Sequence, residues 1–138
     1  MTNTTTQTDA IEQAESVLAN LYANTPLLRG SVVASPDGLA LVSDLEVEGI
    51  NSIAAVIASS FALGGRLGAV LGSEVVEETV VKCEGGYFAL YAAGETGILG
   101  VMTMPNTNLG LLNLQARQAC AALAPLIDDL VSVGNNGS

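Results

Sequence analysis

Histidine is absent from the 138 residues, and lysine occurs once, at Lys82. The commonest general base and metal ligand is therefore missing. A single lysine that does not follow a Gly-x-x-x-x-Gly loop excludes a P-loop, and with it a standard nucleotide-hydrolysing switch. The two cysteines, Cys83 and Cys120, make no zinc site without histidine. Both stand in apolar stretches and are expected as buried free thiols rather than a disulfide. Four basic residues against fourteen acidic ones give a formal charge of −10. Such an acidic chain has no counterion-release route to nucleic acid and no attraction to anionic lipid, so neither partner class is expected. No apolar run reaches the roughly 18–20 residues of a membrane span without charge or turn signals at its margins. Residues 1–8 are polar and threonine-rich, with neither a basic nor an apolar region, so no signal peptide is read there and a cytoplasmic location is the default.

What is present is an apolar chain of a length that fits one domain. Its centre is Gly49–Gly72, a stretch with one charge, Arg66. At helical spacing Ile50, Ile53, Val56, Ile57, Phe61, Leu67 and Leu71 form a broad apolar stripe suited to packing on a sheet. Ala55, Ala62 and Ala69 recur every seventh residue on the opposite side, with Ala58 beside them. That is not an ordinary solvent face, and a second body is expected against it.

Around this helix the order is simple. Asp9, with Glu12 three residues on, reads as the cap of a first helix, which Asn24-Thr25-Pro26 ends. Two strands, 30–34 and 39–43, flank the turn Ser35-Pro36-Asp37-Gly38. An acidic connection of Asp44, Glu46 and Glu48 leads into the central helix and reads as solvated loop. Three more strands, 75–83, 87–91 and 98–103, form a meander. Asn108 caps a last helix whose apolar face is Leu109, Leu112, Ala116, Ala119, Cys120, Leu123 and Ile127, and Pro125 should kink it. The predicted order is α-β-β-α-β-β-β-α, an α+β chain with a five-stranded antiparallel sheet covered by helices on both faces. Residues 1–8 and 132–138 are expected as disordered ends of a single domain spanning 9–131.

No constellation carries acid/base or nucleophilic work. Glu77 and Glu78, read as neighbours on one strand, should point to opposite faces, and neither cysteine has a partner base. Gly64 and Gly65 lack the strand-then-glycine order of a dinucleotide site and read instead as allowing close helix contact. Binding remains. The strand 75–83 is a β-branched sheet edge that must be paired or blocked, and pairing it about a two-fold axis would set two central helices side by side. The expected interface residues are Ser52, Ala55, Ser59, Ala62, Leu63, Arg66, Ala69, Val70, Val76, Glu78 and Val80.

Val32-Val33-Ala34-Ser35-Pro36-Asp37-Gly38-Leu39, Glu84-Gly85-Gly86-Tyr87, and Asn108-Leu109-Gly110-Leu111 followed by Ala116-Arg117 resemble the roadblock/dynein light-chain family over about residues 10–130. The resemblance implies a three-layer roadblock sandwich, with one helix on one face of the sheet and two on the other. It implies a homodimer whose edge strands join into one sheet, with the second helices adjacent. It also implies a non-enzymatic partner or scaffold for a small Ras-like GTPase, without cofactor or metal. Prokaryotic members similar to MglB act as GTPase-activating proteins by positioning the GTPase's own switch residues, and this chain resembles that branch. Two alternatives stand beside it: a dimerisation scaffold in a motor or signalling complex, and a small-molecule sensor built on a similar sandwich. Arg66 reads as a solubilising or dimer-bridging residue rather than an arginine finger.

Overall fold

The computed structural model describes residues 2–45 and 47–136. The elements follow the order α1 (Thr2–Asn24), β1 (Leu28–Ala34), β2 (Ala40–Ser43), α2 (Ile50–Val70), β3 (Glu78–Cys83), β4 (Gly86–Ala93), β5 (Gly97–Thr103), α3 (Leu109–Leu123) and α4 (Ile127–Asn136). The strands form one antiparallel sheet in the order β2-β1-β5-β4-β3. α2 lies alone on one face, and α1, α3 and α4 cover the other.

The core follows the apolar periodicities. Ala10, Ala14, Leu18 and Leu21 of α1 interlock with Leu112, Ala116, Cys120 and Leu123 of α3 over Val33, Ala89, Tyr91, Leu99 and Val101. On the other face Ile50, Ile53, Ala54, Ile57, Ala58 and Phe61 rest on Val32, Ala34, Leu90 and Ile98. Nearly every residue of β1 and β5 is buried, because these central strands have helices above and below. Asn108 accepts the Leu111 N–H at 3.1 Å as the cap of α3, and Pro125 sits in a 3₁₀ turn, Ala124–Leu126, that separates α3 from α4.

Several expectations need correction. α1 begins at Thr2, so Asp9 is an interior residue and Thr2–Thr8 belong to the helix. Neither proline nor glycine interrupts residues 1–24, and extending a nucleated helix costs little. α4 likewise carries helix through Asn136, with Leu130 buried against the core; Met1, Gly137 and Ser138 fall outside the described residues. β3 starts at Glu78 rather than Val75, so Glu77 precedes the strand and strand alternation does not govern it. Arg117 of α3 gathers both carboxylates, at 3.6 Å from Glu77 and 3.8 Å from Glu78. In the acidic connection Glu46 lies outside the described residues, while Asp44 accepts hydrogen bonds from the Ser31 backbone N–H and hydroxyl instead of standing free in solvent.

The two sheet edges differ. β2 has only four residues, a bulge at Val33/Ala34 disturbs its pairing, and its Ala40 N–H donates to the Asn51 side chain of α2 at 3.2 Å. β3 is longer and mostly exposed, and among the described residues no strand pairs with its outer side.

Candidate functional site

α2 is long and apolar enough to cross a membrane by length and composition alone. It lies on the sheet instead, yet of its 21 residues only Ala54 and Ile57 are buried. Its path over the sheet explains the exposure. The C-terminal half presses on the approach to β3 and on β3 itself: a Cβ on Gly64 would fall 2.5 Å from Thr79 Oγ1, and one on Gly68 2.6 Å from Val76 Cγ2. Glycine at both positions makes that contact possible, as expected for Gly64; Gly65 has open space beside it. The N-terminal half leans the other way, over the β1–β2 hairpin. There Asn51 reaches Ala40, and Ala55 stands against Gly38, whose φ of 87° suits the turn.

Because the helix crosses obliquely, a wedge opens between its N-terminal half and the far ends of β3 and β4. It is a groove of about 420 Å³ lined by Ser52, Ile53, Val56, Ile57, Ser60, Val81, Cys83, Phe88 and Leu90. Val56, assigned to the core stripe by periodicity, is 64% exposed, and Leu67 is 70% exposed. Together with Leu63 (57%) and Val70 (82%) they make a stripe with spacings of seven, four and three residues along the flank that faces β3. Leu71 and Val75 extend the exposed apolar surface beyond the helix end. Cys83, expected to be buried, is exposed at the end of the edge strand; Cys120 is buried, and both are free.

Of the expected interface residues, Ser52, Ala55, Ser59, Ala62, Leu63, Arg66, Ala69 and Val70 are all exposed on α2. Val76 is half-buried beneath Gly68, and Val80 is exposed on β3. Glu78, half-buried, turns toward Arg117 on the α3 side, and Val80 shares that side by strand alternation, so these two are not on the face that carries α2. Sequence reasoning missed Val56, Leu67, Val81 and Cys83. The seven-residue step from Val56 to Leu63 was the available signal. Arg66 makes no ion pair among the described residues.

The groove holds no charged side chain, and among the described residues no group of three or more His, Cys, Asp or Glu could hold a metal ion. The perturbed titratable groups lie on the other face. Burial, reinforced by Glu78, raises the Tyr91 phenol well above its ordinary value, and its hydroxyl donates to Asn113 Oδ1. Burial pushes the Cys120 thiol up to about 12, against a smaller opposing effect of Arg117. A neutral, buried thiol is inert. The groove offers an apolar surface suited to association.

An α+β sandwich with one bare helix flank and one open sheet edge defines the class. Residues 15–103 match the Roadblock/LC7 domain, and the chain belongs to that family. Two uncharacterised proteins of Methanocaldococcus jannaschii, MJ0310 and MJ1340, are each 32% identical to it over 93 residues, spanning 67% of this chain and 81% of the relative. Among solved structures, the gliding protein MglB from Thermus thermophilus shares the fold with a TM-score of 0.78 at 22% identity, over 87% of this chain and 92% of that one. An MglB with a tetrameric arrangement gives 0.80 at 23% identity, over 88% and 92%. MglB from Myxococcus xanthus gives 0.77 at 18%, over 87% and 91%.

Proposed function

We propose that this protein is a non-enzymatic homodimer that regulates or scaffolds a small Ras-like GTPase, with α2 and the β3 edge as its self-association surface. The observation that carries the dimer is the uncovered stripe Val56, Leu63, Leu67 and Val70 beside an unpaired strand. Contiguous apolar surface and an open edge both favour burial against another chain. The candidate surface adds to that stripe Ser52, Ala55, Ser59, Ala62, Arg66 and Ala69 of α2, with Val76, Glu78 and Val80 at the edge. The paired α2 helices would then form the platform offered to the GTPase; that part of the reading draws on the roadblock resemblance. The test is to mix the purified protein with a Ras-like GTPase from the same genome and follow complex formation and GTP turnover. Faster turnover supports an activating role, and binding with unchanged turnover supports a scaffold. Neither binding nor a change in turnover, across the small GTPases of that genome, removes the GTPase from the proposal.

A further inference from the structure

We draw no further inference here: the strongest candidate, the apolar groove between the N-terminal half of α2 and the far ends of β3 and β4, belongs to the surface already described, and nothing in the structure shows what covers it.

Discussion

Gly86 shows how single positions constrain this fold. Its φ is 139°, and a Cβ there would run into the Thr103 carbonyl oxygen of β5. Gly86→Ala should therefore destabilise by about 3 kcal/mol, combining strain with a backbone displacement, and a denaturant titration will measure it. Cys120 ties stability to pH. Its folded value of about 12 exceeds its ordinary 9.0, so the folded state favours the protonated thiol. That contribution is intact below about 9 and is lost as pH rises toward 12, at up to about 1.4 kcal/mol per pH unit. Cys120→Ala should flatten part of the fall in denaturation midpoint above pH about 9. Arg117 makes the opposite case: its two ion pairs to Glu77 and Glu78 are long and partly exposed. Arg117→Ala should cost less than about 1 kcal/mol in the same titration.

At the level of elements, α2 combines two tasks that periodicity could not separate. The turn at Pro36-Asp37-Gly38, the Asn108 cap, the five strands and the α3 face were readable because each has a local cause: a left-handed glycine, a capping carboxamide, a β-branched run, a repeat of 3.6. The flank of α2 has no such local cause. Val56 and Leu67 are as apolar as Ile53 and Ile57, and only the oblique path over the sheet exposes the first pair while covering the second. That path depends on Gly64 and Gly68 at one end and Gly38 at the other, contacts far apart in the chain. The start of β3 escapes the local pattern for a similar reason, since Val75 and Val76 are β-branched, but Val76 lies beneath Gly68 and pairing begins only at Glu78. Leu63 is already more than half exposed, so Leu63→Glu should leave the monomer folded. It should shift the dimer midpoint at least tenfold, as read by light scattering and circular dichroism together; an unchanged dimer would place the contact elsewhere.

For the molecule as a whole, little of the charge falls on the bare helix. The chain carries a formal −10, yet the only charge on α2 is Arg66. Two such chains repel at long range and attract through apolar contact at short range. The proposed self-association should therefore strengthen modestly when salt is added, the opposite of a complex held by ion pairs. Sedimentation across an ionic-strength series will give the sign.

In the proposed self-association, the difference between the two sheet edges would limit how many chains join through the sheet. On β2, Asn51 occupies the Ala40 N–H and a bulge distorts the pairing, while β3 is bare. Growth of a filament needs two free ends on every subunit, whereas among the described residues only the β3 edge is open. A monomer with a single adhesive end behaves as a chain terminator, and addition through that end stops at two.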